Sequence, residues 1–415
     1  MKILIINTSD NNGGAAIAAQ RLLNALRSYG LNATMIVRDK EGNDKVDNNI
    51  KSIGSGLRNK LKFYWERGEI FLYNRLSKKN LFEISTASTG LPITETEEFK
   101  QADIIHLHWI NQGMLSLKEI KKIVASGKKV VWTMHDMWPI TGICHHSGKC
   151  NNYLEGCGNC PLLKKPSEND LSRTIFQKKI SSYFKGEINF VACSNWLKEK
   201  AEDSPLTVGH NLTSIPNPID IDIYSPTNKI TTKKKLNLPI DKKIILFAAV
   251  KASDERKGFK HLIEAARLME KHYEELLFVI AGNRSEEVQK VLSLPSKSLG
   301  YISSEDMPDI YNAVDLFVTP SLQENLPNTI MEAMSCGTPC VGFNTGGIPE
   351  MINHKENGYV AEYKNSTDLA KGMLWTLFES DYNQLSANAR KKVVVNYNNN
   401  IIAGKYIEIY KNARG

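Results

Sequence analysis

Two series of short apolar runs, each run followed by a stretch of helical periodicity, limit this chain's fold more than any other feature. The first series is "KILIINT", "NATMIVR", "ADIIHLHW", "KKVVWTMH" and "NFVAC"; the second is "KKIILFAAV", "ELLFVIAGN", "DLFVTPS" and "TPCVGF". Near-continuous apolar runs of this length fit strands covered on both faces, as in parallel sheets wrapped by helices. Helical patterns separate them, such as "FKHLIEAARLMEKHY" and "AAIAAQRLLNALRSYG", the latter closed by Gly30 as a C-cap. The two series are divided by "IPNPIDIDIYSPTNKITTKKKLNLP", rich in Pro, Asn and Lys. A chain of 415 residues also exceeds what one core serves. The pattern predicts an α/β protein of two doubly wound domains, residues 1–215 and 216–395, with parallel sheets facing a central cleft. A C-terminal helix over 396–415 is expected to pack back on the first domain. Ligands in such folds bind in the crevice outside the carboxyl ends of the strands.

No run approaches the roughly 18–20 continuous apolar residues that a membrane span needs. "MKILIINTSD" reads as a first strand, since its apolar stretch is too short for a secretory signal. The expected setting is cytoplasmic, where thiols stay reduced. The net charge of +8 is moderate for this length but locally concentrated. "GLRNKLKFYWERGEIFLYNRLSKK", residues 56–79, carries Arg58, Lys60, Lys62, Arg67, Arg75, Lys78 and Lys79 against Glu66 and Glu69. Apolar residues recur between these charges at mostly helical spacing. Two readings stand: surface helices that pack an apolar stripe on the core, or a basic amphipathic helix on the inner face of an anionic membrane.

Three stretches carry candidate chemistry. In "NTSDNNGGAAIAAQRL" the first strand ends near Thr8 and Gly13-Gly14 opens a helix, whose free N–H groups suit an anion. In "VKASDERKGFKHL", Lys251 and Lys257 flank a polar loop, and Gly258 leads into a helix. Two cations beside a helix N-terminus would clamp a diphosphate whose charge grows as it leaves. In "SLQENLPNTIMEAMSCGTPCVG", Glu324 follows the strand "DLFVTPS" and Glu332 comes eight positions later on a helix.

Taken together, these motifs resemble glycosyltransferase family 4, retaining enzymes of the GT-B fold with two Rossmann-like domains. The E-x7-E motif of that family corresponds to Glu324–Glu332, its basic pair to Lys251 and Lys257, and its Gly-Gly loop to Gly13-Gly14. Its histidine-bearing strand end corresponds to "TMHD" and its linker to "PNPID". Lys251 stands where arginine is common. The resemblance implies transfer of a hexosyl-type sugar from a UDP- or GDP-sugar to a glycan or lipid-linked acceptor, with anomeric configuration kept, in surface polysaccharide assembly. It implies that Glu324 bonds the donor sugar's hydroxyls, helped by the backbone N–H groups of Asn325 and Leu326. Glu332 would accept from both ribose hydroxyls. Lys251, Lys257 and the Gly14 amide would neutralise the diphosphate, His135 would face the reacting sugar or acceptor, and no catalytic metal would be needed. "DID" at 220–222 looks like a metal-binding D-x-D but falls in the linker and is discounted. His106 and His108 are expected to point to opposite faces of their strand.

The most cysteine-rich stretch, "HDMWPITGICHHSGKCNNYLEGCGNCP", follows directly on His135. Cys144, Cys150, Cys157 and Cys160 lie within it, separated by glycines. Four thiolates at this spacing would wrap a tetrahedral zinc ion, and His145 or His146 could replace one of them. Disulfides, free thiols and a C-x-x-C redox centre are the other readings. The expectation is a structural zinc clip beside the acceptor side. Two other functions fit the same frame: a nucleotide-sugar 2-epimerase, or a non-catalytic, zinc-bearing basic protein. No groove-reading motif for nucleic acid appears.

Overall fold

The computed structural model describes residues 1–40, 48–54 and 56–413. It divides into two compact units, Met1–Pro216 with Ile402–Gly415, and Asn217–Ile401. The last two residues of the expected 396–415 helix lie outside the described range.

The first unit is built on a seven-stranded parallel sheet: β1 (Lys2–Ser9), β2 (Asn32–Asp39), β3 (Ile50–Ser52), β4 (Ile104–Leu107), β5 (Lys129–Met134), β6 (Ile188–Ala192) and β7 (Asn211–Ser214). Their order across the sheet is β3-β2-β1-β4-β5-β6-β7. Alternate residues of β1 enter different cores, because successive side chains of a strand point to opposite faces. Leu4 and Ile6 join a core with Trp132, Trp138 and Phe176. Ile3 and Ile5 join another with Leu22, Leu26, Ile402 and Tyr406. The segment from Ile402 therefore helps to cover one face of this sheet.

The second unit carries a six-stranded parallel sheet: β8 (Lys243–Lys251), β9 (Leu276–Asn283), β10 (Ser296–Gly300), β11 (Leu316–Thr319), β12 (Cys340–Phe343) and β13 (Gly358–Ala361). The order is β10-β9-β8-β11-β12-β13. Both sheets reverse direction of build once, between β1 and β4 and between β8 and β11. Two loops diverge at such a point and leave a crevice at the carboxyl ends of the strands. Among the described residues no helix is long and apolar enough to cross a membrane.

The basic 56–79 stretch is expected either to pack an apolar stripe on the core or to lie on a membrane. Residues Gly56–Tyr73 form one helix, and its apolar stripe does not pack on the core. Leu57, Leu61, Tyr64, Trp65 and Leu72 are 73%, 61%, 65%, 71% and 68% exposed, while Asn59, Glu66, Arg67 and Ile70 are buried.

Candidate active site

In the second unit the switch point is stitched together by glycine. β8 ends in a loop that closes at Gly258, held in the left-handed region at φ 73°. A Cβ there would lie 1.8 Å from the Pro320 carbonyl oxygen just after β11, so only glycine allows this approach. The Leu322 N–H donates to the Arg256 carbonyl at 2.7 Å and ties the two loops again. Lys257, on the first loop, consequently meets Glu324, on the second, in an ion pair. A third loop arrives after β12. Gly346, with φ 55°, presses on the Glu324 carbonyl, and the Gly347 N–H donates to the Asn325 carbonyl at 2.7 Å. Lys251 ends β8 and is exposed, and Leu326 is buried.

Glu332 lies on the helix Asn328–Ser335, which begins directly after Pro327. Its side chain is buried, and its Oε2 accepts a hydrogen bond from the Tyr311 hydroxyl at 3.0 Å. Burial and the adjacent Glu332 charge push the Tyr311 phenol well above its ordinary pKa, so it stays a donor. Tyr311 carried no signal in the sequence, since nothing near Glu332 in the chain points to position 311. The helix Phe259–Leu268, capped at Gly258, directs its N-terminus toward the same loop as Lys257. Asp220, of the discounted "DID", instead caps a turn: its Oδ1 accepts from the N–H groups of Asp222 and Ile223 at 2.9 and 3.1 Å.

Gly14 and His135 belong to the first unit. Gly14 opens the helix Gly14–Ser28 after Gly13, whose φ of 92° is a glycine conformation with open space around its α-carbon. His135 follows β5. Its Nε2 is 2.9 Å from His108 Nδ1, and its Nδ1 is 3.6 Å from Cys193 Sγ. Behind it, His106 Nδ1 meets the Tyr410 hydroxyl at 2.7 Å, and His106 Nε2 meets Thr133 Oγ1 at 2.8 Å. Thr133 in turn meets the Tyr406 hydroxyl at 2.8 Å. His106 and His108 do not point to opposite faces: their ring centroids are 4.3 Å apart. Residues two apart on a strand share a face, and the expectation miscounted that period. Burial holds His106 down to about 3 and His135 down to about 4, so both rings are neutral at physiological pH.

The cysteine patch requires a correction. Among the described residues no group of three or more His, Cys, Asp or Glu side chains is placed to hold a metal ion. Cys144, Cys150, Cys157 and Cys160 are free thiols, which also sets aside the disulfide reading. The loop folds by other means. His145 Nδ1 is bound to Asp136 Oδ2 at 2.7 Å and its Nε2 to Ser85 Oγ at 3.0 Å. Asp136 also accepts from Trp109 Nε1 and the Trp138 N–H, both at 2.8 Å. Burial opposes its ionisation, but His145, His146 and the Trp138 N–H outweigh burial and hold Asp136 down to about 2. Asp170 accepts from the Cys160 N–H at 2.8 Å, and the buried Lys179 ammonium donates to the carbonyls of Trp138 and Thr141. Burial pushes the Cys144 thiol up to about 12 and those of Cys157 and Cys160 up to about 11. These sulfurs pack against the first unit's core.

Comparison with known proteins fits this geometry. The model of the family "Glycosyl transferases group 1" matches residues 228–392, which hold β8 to β13, both lysines and both glutamates. An uncharacterized glycosyltransferase of Methanocaldococcus jannaschii is 26% identical over 363 residues, 80% of this chain and 90% of that one. N,N'-diacetylbacillosaminyl-diphospho-undecaprenol alpha-1,3-N-acetylgalactosaminyltransferase of Campylobacter jejuni is 29% identical over 198 residues, 46% of this chain and 52% of the enzyme. Anabaena HepE, crystallised with UDP and glucose, superposes with a TM-score of 0.65 at 17% identity, over 99% of this chain and 100% of that one. The fold is GT-B, and the stretch that matches the family model lies in the second unit.

Proposed function

We propose that this chain transfers a hexosyl-type sugar from a nucleotide-sugar, UDP-sugar before GDP-sugar, to a glycan or lipid-linked acceptor in surface polysaccharide assembly, with anomeric configuration retained. The observation that carries the reading is the Lys257–Glu324 pair at the switch point of the second unit, with Glu332 buried on the helix that follows. A diphosphate entering this crevice competes with Glu324 for Lys257. It gains that cation, Lys251 and the N-terminus of the Phe259–Leu268 helix, and it releases the Glu324 carboxylate to accept bonds from sugar hydroxyls. As the bond from the anomeric carbon to the diphosphate oxygen breaks, its electron pair stays on that oxygen. The growing charge meets fixed cations, which is the differential stabilisation that speeds the step.

Glu332 takes the ribose hydroxyls, with Tyr311 fixing its orientation, and the N–H groups of Asn325 and Leu326 assist at the sugar. The Gly14 amide adds a donor to the diphosphate. His135 acts as a neutral hydrogen-bonding group on the acceptor, because burial removes its charge. The UDP seen with Anabaena HepE and the undecaprenol-linked substrate in the name of the Campylobacter jejuni enzyme support the choice of donor and acceptor class. Peripheral contact with the membrane that carries such an acceptor belongs to the same reading.

The test is incubation with UDP- and GDP-sugars and lipid-linked or soluble glycan acceptors, with the product's anomeric configuration read by NMR. A product of the donor's own configuration is expected. Inversion refutes the retaining assignment, and conversion of the nucleotide-sugar to its epimer without an acceptor refutes transfer.

A further inference from the structure

The helix Gly56–Tyr73 is inside out. At 3.6 residues per turn, Leu57, Leu61, Tyr64, Trp65 and Leu72 occupy an arc of about 100°, and that arc is the exposed one. The opposite side is anchored by polar side chains. Glu66 Oε1 accepts from the N–H groups of Thr86 and Ala87 at 2.8 and 2.9 Å. Arg67 donates to the Ile84 carbonyl at 3.0 Å and pairs with Glu66 at 3.3 Å. Asn59 Nδ2 donates to the carbonyls of Arg38 and Ile53, each at 3.0 Å. Turning the helix to bury its leucines would strip all of these buried groups of their partners. The fold therefore fixes the apolar stripe outward.

Charge surrounds the stripe. With Arg67 and Glu66 buried against each other and Glu69 half-buried beside the Thr86 hydroxyl, the fully exposed charges of residues 56–79 are Arg58, Lys60, Arg75, Lys78 and Lys79. Leu76, beyond the helix, and Phe82 extend the apolar surface. Arg58 and Lys62 also line a cavity of about 400 Å³ beside the helix, where Lys62 donates to the Gly90 carbonyl. Glu119, on its wall, is already bound by the Thr94 N–H and hydroxyl.

We propose that this face docks on an anionic lipid bilayer, with Leu57, Leu61, Tyr64, Trp65 and Leu72 entering the interface and the flanking cations resting on the headgroups. An exposed apolar stripe with Trp and Tyr, bordered mainly by cations, matches the interfacial region of such a surface. Anionic headgroups complement the basic border. A second copy laid face to face on residues 56–79 would set cation against cation. Such docking rests on the lipid-linked reading of the acceptor, which it would bring to this unit.

The experiment is flotation of the full chain with vesicles of phosphatidylcholine alone or with about one-third phosphatidylglycerol, at low and high salt. Wild type should float with the anionic vesicles at low salt, at least tenfold more than with neutral ones, and salt should reduce the bound fraction. The double variant Leu61→Glu/Trp65→Glu should lose at least tenfold. The variant Lys60→Glu/Lys78→Glu/Lys79→Glu should lose its preference for anionic vesicles. Both variants should keep the wild-type thermal shift with UDP, which reports the other unit. Absence of wild-type flotation with anionic vesicles, or undiminished flotation of Leu61→Glu/Trp65→Glu, overturns the proposal. So does a wild-type dimer in light scattering that the double variant converts to monomer, since the face would then belong to a second copy. Flotation without any UDP response would leave docking standing and refute the donor reading alone.

Discussion

Two substitutions at Glu332 separate its part in the fold from its part in binding. In Glu332→Ala the buried Tyr311 hydroxyl loses its acceptor. An unsatisfied buried hydroxyl costs about 1–3 kcal/mol. A domain of this size loses about 2–4 °C per kcal/mol, so the unliganded protein should melt roughly 2–12 °C lower. Glu332→Gln keeps an amide oxygen for Tyr311 and should melt within a few degrees of wild type. Both variants remove the carboxylate expected to hold the ribose. Hydrogen bonds to a charged group are worth about 1.5–3 kcal/mol, a loss of roughly 10- to 150-fold in affinity. With UDP at 100 times the wild-type Kd, the ligand adds about 2.7 kcal/mol to wild type, and to Glu332→Gln only about 0.3–1.3 kcal/mol. Differential scanning fluorimetry over a UDP series reads both quantities. A Glu332→Gln protein that melts like wild type and responds to UDP like wild type refutes the ribose assignment. Low stability shared by both variants refutes the argument about Tyr311.

Acid should destabilise the first unit through its buried histidines. His106 and His135 have folded pKa values of about 3 and about 4, below the unfolded value of 6.5. The unfolded chain therefore binds more protons between pH 6.5 and 4. Their contribution is complete above pH 6.5 and falls by up to about 1.4 kcal/mol per histidine per pH unit below it. Urea melts at pH 7 and 5.5 should show this loss, and His106→Gln should lessen it. Gly258→Ala combines a left-handed backbone, worth about 1–2 kcal/mol, with a clash at the Pro320 carbonyl. It should lower the melting point of the second unit and abolish its UDP response, whereas an unaffected protein would deny that the close approach is needed. At pH 8, Cys144, Cys157 and Cys160 should react slowly with a thiol reagent, because thiols of pKa about 11–12 offer almost no thiolate. Rapid labelling of these three cysteines without denaturant would contradict their raised pKa values.

What the sequence disclosed and what it hid divide along a physical line. The apolar runs located β1, β2, β4, β5 and β6, and β8, β9, β11 and β12. The four strands they missed, β3, β7, β10 and β13, are the two edges of each sheet. An edge strand lies beside only one neighbour and is short and partly exposed. Its sequence, as in "SKSLG" of β10 or "NLTS" of β7, has no reason to carry a continuous apolar run. The loops of the second unit were legible because their glycines and charges sit at fixed offsets from legible strands. Tyr311 was not, because its bond to Glu332 spans twenty-one residues and leaves no local pattern. The cysteine patch misled for a related reason. Spacing states that four sulfurs could converge, but the structure spends His145 on Asp136 and holds the loop through Asp170 and Lys179, none of which a ligand-spacing argument weighs. The helix Gly56–Tyr73 shows the same limit most sharply. Its periodicity announces an apolar stripe without saying which way the stripe faces. Direction is fixed by Glu66 reaching the N–H groups of Thr86 and Ala87, twenty residues further on. A polar anchor of that range turns an ordinary amphipathic pattern from a core-packing face into an exposed one.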